Sequence, residues 1–272
     1  MGSNPILSAS HFWCHAATAC ESLGILRIRM SDDVSQPGES LSIIFRCAPE
    51  HRGVVPPPIP AVQGLPDWFK AMPQRAFSDM LQLEQMTVKR CPPFIDAMTH
   101  GFLIPLATDL RVEDGLFTWE GEIPCARVRT NCSPLDFHDN NQVKGSPFFE
   151  EDRFVLKFNC FWTIELPPGY SLLVTHPINR PDLPFVSLTG LIDADRYRNN
   201  YINFPARWCD PDFKGVLPKG TPVVQCVPIK REEWTARFEE ISGEAAARMT
   251  DTQFMLADND DAYRHHFRAP KR

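Results

Sequence analysis

The common local signatures of reactive chemistry are missing from this chain. There is no Walker A loop, no Gly-x-Gly-x-x-Gly, no Gly-x-Ser-x-Gly and no His-Glu-x-x-His. Each of these would put a phosphate cradle, a nucleophile or a zinc site at one spot in the fold. His138 beside Asp139, and His176, have the right type to ligate a metal. No His is followed two places later by Asp or Glu, so the local half of a two-His-one-carboxylate iron site is absent. A metal would have to be assembled from distant His and Asp, and the bland reading of each His is a surface or hydrogen-bonded ring. The nine cysteines (14, 20, 47, 91, 125, 132, 160, 209 and 226) are odd in number and scattered, with no Cys-x-x-Cys. That is neither a disulfide framework nor a zinc ribbon. They read as thiols serving as small apolar residues in a reducing cytoplasm.

The elements that would position such residues follow from composition and pattern. The 272 residues, 43% hydrophobic and 23% charged, suit a globular chain with a sizeable core. A net charge of -6 speaks against general nucleic-acid binding. No apolar run suits a membrane span, so no membrane partner is expected. There are 26 prolines, about twice the usual ~5%, and interior Pro costs a helix roughly 3 kcal/mol. The chain is therefore expected to be mainly β. Residues 1–29 lack the basic start of a secretory signal. Gly2-Ser3-Asn4-Pro5 matches one reading frame of a transfer-RNA T-arm, and Met30-Ser31-Asp32-Asp33 is a common polar beginning. Residues 1–29 are read as a non-native or disordered leader, 30–230 as a single mainly β domain, and 231–272 as a C-terminal helix and polar tail.

Within the domain, residues 53–66 are Pro-rich and read as an extended, polyproline-like entry wrapped on the domain. Asp67-Trp68-Phe69-Lys70 follows as a helical turn, and Cys91 to Met98 as a short helix opening after prolines. Asp114-Gly115 between Leu110–Glu113 and Leu116–Glu120 is a strong hairpin signal. From Phe154 onward, short apolar strands alternate with turns without intervening helices, which means an antiparallel sandwich or barrel. Trp234, Phe238, Ile241, Ala245 and Met249 recur at steps of 4, 3, 4 and 4. That spacing predicts one helix face, with Trp234 and Phe238 buried against the β domain and Glu239 and Glu240 in water.

Four pieces in residues 159–229 resemble the trimeric dUTPases and dCTP deaminases. They are Trp162 to Tyr170, Thr189-Gly190-Leu191-Ile192-Asp193-Ala194-Asp195, Tyr201 to Phe204, and Leu217 to Gln225. The resemblance implies a dUTPase-like fold, a homotrimer and a small phosphorylated ligand, with Mg²⁺ if the chain hydrolyses nucleotides. It makes Asp193 the catalytic general base and Arg180, Tyr197 and Asp195 the ligand-binding residues. Hydrolysis needs a carboxylate beside the attacking water and positive groups around the phosphates. The sequence departs from the family there. Thr175 to Arg180 stands where the family has Arg-Ser, and Gly243 is the only glycine after Gly220. The implied site is degenerate, with weak or no dUTP hydrolysis expected. Alternatively, Asp193 and Asp195 cap a turn between strands.

A longer span resembles an uncharacterised family of bacterial and phage proteins, through Leu65 to Lys70, Val88 to Phe94 and the Pro167 to Tyr170 turn. Three function classes result. The first is a nucleotide-binding or nucleotide-hydrolysing relative of the dUTPase group. The second is a β-barrel metal-dependent enzyme. The third is a non-enzymatic, phage-associated binding or assembly protein, which would expose an apolar patch of several hundred Å².

Overall fold

A computed structural model describes residues 41–121, 123–126, 132–151 and 154–270. The leader 1–29 lies outside the described residues. In chain order the elements are β1 (Ile44–Arg46), β2 (Ile59–Pro60), α1 (Asp67–Ala71), β3 (Arg75–Ser78), β4 (Leu83–Met86), α2 (Pro92–Thr99), β5 (Phe102–Pro105), β6 (Leu110–Glu113), β7 (Leu116–Thr118) and β8 (Leu135–His138). There follow β9 (Val155–Glu165), β10 (Tyr170–Thr175), β11 (Phe185–Ser187), β12 (Gly190–Ile192), β13 (Tyr201–Trp208), β14 (Gly215–Leu217), β15 (Pro222–Lys230) and α3 (Gly243–Asp258).

The fold is mainly antiparallel β, as the short strands without crossover helices require. One sheet runs β1-β9-β13-β11, with β8 also paired to β9, and a second runs β12-β10-β15-β5-β2. β9 is long enough to serve two partners, β8 along its first half and β1 along its last. A smaller sheet, β14-β6-β7, and the separate hairpin β3-β4 complete the set. None of these sheets closes into a barrel. Period-two patterning places the core: Ile202, Phe204 and Ala206 of β13 point inward, as do Leu110 and Val112 of β6. Leu110, Ile202, Phe204 and Ala206 meet Phe158, Ile164, Leu172, Val174, Val224 and Cys226 in one cluster shared by the sheets.

The Pro-rich entry is wrapped on its own domain. The Trp162 indole N–H donates to the Pro56 carbonyl at 3.0 Å and Lys219 Nζ to that of Val54 at 2.6 Å. It is not one polyproline run, because Ile59–Pro60 pairs with β5 and Ala61–Gly64 forms a 3-10 turn. The Asp114-Gly115 hairpin forms in the expected register, Glu113 opposite Leu116, with φ +50° and +76° at the two turn residues. Both positive values are what a type I′ turn requires. Gln225 of β15 is fully buried. It accepts from the Ile178 N–H at 3.0 Å and donates to the Ala97 and His100 carbonyls at 2.9 and 2.7 Å, tying α2 to the sheet.

Two expectations are corrected. The C-terminal helix begins at Gly243, not at Trp234, and Trp234 and Phe238 are 87% and 95% exposed. β15 runs on to Lys230, and bonds to Arg231 hold the chain extended beyond it. Gly243 has φ +55°, which a right-handed helix interior does not contain. The apparent 4-3-4-4 stripe therefore spans two different conformations. Second, Cys125 and Cys132 form a disulfide seven positions apart, so not all cysteines are thiols. Proximity in the fold, invisible in the spacing, brings them together.

Candidate functional site

Asp193 and Asp195 flank Ala194, whose full burial anchors the turn leaving β12. Antiparallel pairing of β10 with both β12 and β15 brings this turn to the end of β15. There Arg231 enters. Its backbone N–H donates to the Gly169 carbonyl at 2.8 Å. One guanidinium nitrogen donates to the Tyr170 carbonyl at 3.0 Å, to Ser171 Oγ at 3.2 Å, to Asp193 Oδ1 at 3.1 Å and to Asp195 Oδ1 at 2.9 Å. The other donates to Asp195 Oδ2. Asp195 Oδ2 also accepts the Gly169 N–H at 3.0 Å, and Ser171 Oγ donates to Asp193 Oδ1 at 2.7 Å. The Arg231 bonds above all, then Gly169, pull the Asp195 carboxyl down to about 2. Arg231 is itself raised, chiefly by Asp195.

This is a clasp in which one cation joins two carboxylates. Tyr197 stands beside it: its N–H donates to the Asp193 carbonyl at 2.8 Å, and its hydroxyl accepts from Asn200 at 2.8 Å. The turn is held by its backbone rather than by side-chain caps. The backbone carbonyl of Asp193 caps Arg196 and Tyr197, while the carboxylates reach across to Ser171, Gly169 and Arg231. Arg180 lies elsewhere. It makes a two-point bond to Asp182, whose Oδ1 also accepts from the Trp68 indole at 3.1 Å. Arg180 follows the Thr175 end of β10, whereas Asp193 is bonded at Ser171. Those ends are roughly 13 Å apart at about 3.3 Å per residue. Asp193, Asp195 and Tyr197 thus come together, and Arg180 does not join them.

The metal-ligand candidates are engaged in loop bonds. His176 accepts the Ser187 N–H on Nδ1 at 3.3 Å, and its Nε2 faces the Arg180 carbonyl at 3.0 Å. Burial pushes its pKa down, which suits a neutral ring donating from Nε2. His138 Nδ1 is 2.7 Å from Gln142 Oε1. Among the described residues no three His, Cys, Asp or Glu side chains converge. The Asp193–Asp195 pair does not suit Mg²⁺ either, because the Arg231 cation already occupies the space between the carboxylates.

A second place has the shape of a ligand site. Between the β6-β7 hairpin, β8, the start of β9 and the end of β13 lies a cavity of about 320 Å³. Phe117, Phe137, Phe148, Phe154 and Trp208 line it, together with the core residues Val112 and Leu156. The Phe117 ring is edge-on to Trp208 at 5.0 Å, and Phe137 is edge-on to both Phe117 and Phe154 at 6.1 Å. Asp114, Glu150 and Arg207 add charge. Asp114 pairs with Lys214 at 2.6 Å, and Arg207 is kept protonated by Cys209 first and by Glu150 more weakly. Sequence reading missed this site because its aromatics come from separate elements across some ninety positions. Its one local signal, Asp114-Gly115, announces a turn rather than a site.

No protein-family model matches the chain, and no curated protein matches it. Among solved structures, a mutant dUTPase from phage phi11 of S. aureus, described for its structural Mg(II) ion, overlaps 32% of this chain and 71% of its own. The identity is 15% and the TM-score 0.23. An overlap that shallow lends no activity to this chain.

Proposed function

We propose that the protein binds a nucleotide, with the base in the aromatic cavity and a phosphate at Arg207, and does not hydrolyse triphosphates. The observation that carries this reading is the set of five aromatic side chains around about 320 Å³, with a guanidinium among the lining residues. That volume is at the small end of ligand sites, roughly 300–1,000 Å³. A flat heteroaromatic ring suits such walls, since base–aromatic stacking contributes about 1–3 kcal/mol. Glu150 and Asp114 supply acceptors for the donors on a base edge. A single guanidinium matches one phosphate in two-point fashion; three phosphates would need more positive charge than Arg207, the cation among the described lining residues, supplies. The residues that a dUTPase-like site would use are otherwise engaged. Asp193 Oδ1 already accepts from Ser171 and Arg231, and Arg180 is committed to Asp182.

Isothermal titration calorimetry with nucleosides and nucleoside monophosphates tests this. Trp208→Ala is expected to weaken binding by about 5- to 100-fold, the loss of one stacking partner. Arg207→Gln is expected to weaken monophosphates and spare nucleosides. Arg180→Ala and Asp193→Asn, which would disable a dUTPase-like site, leave affinity unchanged. No binding by any nucleotide, or loss of binding in the Asp193 and Arg180 variants alone, overturns the reading.

A further inference from the structure

The chain leaves the sheet at the Arg231 clasp and returns at Asp260 and Asp261. These pair with Arg75 at 2.9 Å and Arg90 at 2.6 Å. Ala262 behind them is fully buried, and Arg268 then closes on Asp96. Between the anchors, no residue from 232 to 259 is buried. Yet this stretch carries Trp234, Phe238, Ile241, Met249, Phe254 and Leu256, all exposed. With about 150–250 Å² for a whole aromatic side chain, and somewhat less for an aliphatic one, their exposed area is on the order of 800 Å². α3 has no buried residue, and a helix of its 16 residues is marginal without packing.

A second element, next to the point where the chain returns, also exposes apolar side chains. The hairpin β3-β4 pairs with no other strand among the described residues and exposes Phe77, Met80, Leu81 and Leu83. A two-stranded hairpin alone is marginal in water. The Arg75–Asp260 pair puts this hairpin beside the C-terminal end of α3, so that end of the arm adjoins the hairpin.

We infer that residues 232–258 are a docking arm for a second copy of this chain. Each arm covers the β3-β4 hairpin of the other copy about a two-fold axis. Area favours this occupant: about 800 Å² is what each partner contributes to a standard stable interface. Adjacency favours it too, because a two-fold contact needs one patch that holds both halves of the fit. Trp234 and Phe238 are the expected anchors, the aromatic type that dominates binding energy in interfaces.

Sedimentation equilibrium of the full chain across the micromolar range tests this. Twice the chain mass is expected. Trp234→Ser and Phe238→Ser should each weaken association by roughly 30-fold, as hot-spot anchors do. Phe77→Ser, on the opposite half of the contact, should do the same. All three positions are exposed, and an unchanged near-ultraviolet dichroism of the β core would show that the variants fold. A wild-type monomer, a trimer, or a dimer that survives all three substitutions overturns the inference.

Discussion

At the scale of single residues, the informative group is Asp195. Its side chain is 7% exposed, and it accepts from both Arg231 and the Gly169 N–H. Its carboxyl sits at about 2 against an ordinary 3.8. A depressed carboxylate contributes stability that is complete above its unfolded value and is lost as pH falls through the folded one. The clasp should thus stabilise the fold by on the order of 1–2 kcal/mol near neutrality, after allowance for solvent screening, and by little once pH falls below about 2. Asp195→Asn should show that loss at about pH 6 and converge on the wild type as pH falls from about 4 to about 2. Urea midpoints measured across that range would check it; a deficit constant with pH would mean that packing, not charge, holds the turn. The sequence marked Asp193 and Asp195 as a pair worth watching. It did not mark Arg231, because that guanidinium reaches them only through the pairing of Tyr170 with Lys230.

At the scale of elements, the turns and strands were legible where a local rule fixes the backbone. Asp114-Gly115 sets its hairpin, the prolines of Cys91-Pro92-Pro93 open α2, and the apolar runs from Val155 to Lys230 become strands in the expected order. The helix expected from Trp234 failed because periodicity counts side chains and does not see that Arg231 holds the preceding strand extended. Two glycines with the same sign of φ separate backbone cost from crowding. Gly115 has φ +76°, and a Cβ there would meet nothing within 4 Å. Gly101 has φ +74°, and a Cβ there would lie 2.1 Å from the Cys226 carbonyl oxygen, which is strand backbone. Gly115→Ala should cost about 1 kcal/mol, the penalty for a left-handed conformation. Gly101→Ala should cost that and more, about 3 kcal/mol or above, since a core strand must shift to make room. Chemical denaturation of the two variants compares them directly, and equal losses would show that the strand yields freely.

At the scale of the whole molecule, the mainly β architecture could be read from proline content and strand spacing, because those are averages over the chain. The cavity could not. It exists only once β7, β8, β9 and β13 are adjacent, and none of its aromatics is unusual in its own segment. The disulfide belongs to the same class of feature. Composition suggested free thiols, whereas the fold joins Cys125 to Cys132 beside the buried Ile123 and Ala126. Ile123 belongs to a small second core with Val55, Ala107 and Phe161, packed against Trp162. Cross-linking across seven positions restricts the unfolded chain, which for a loop this short is worth about 2–3 kcal/mol in the chain-entropy account. For a chain of this size that corresponds to roughly 5–10 °C in melting temperature. Reduction with dithiothreitol should lower the calorimetric midpoint by that amount, and Cys125→Ser should reproduce the loss and abolish the response to reductant. A wild-type midpoint indifferent to reductant would return both residues to the role their composition suggested, small apolar thiols at the edge of a core.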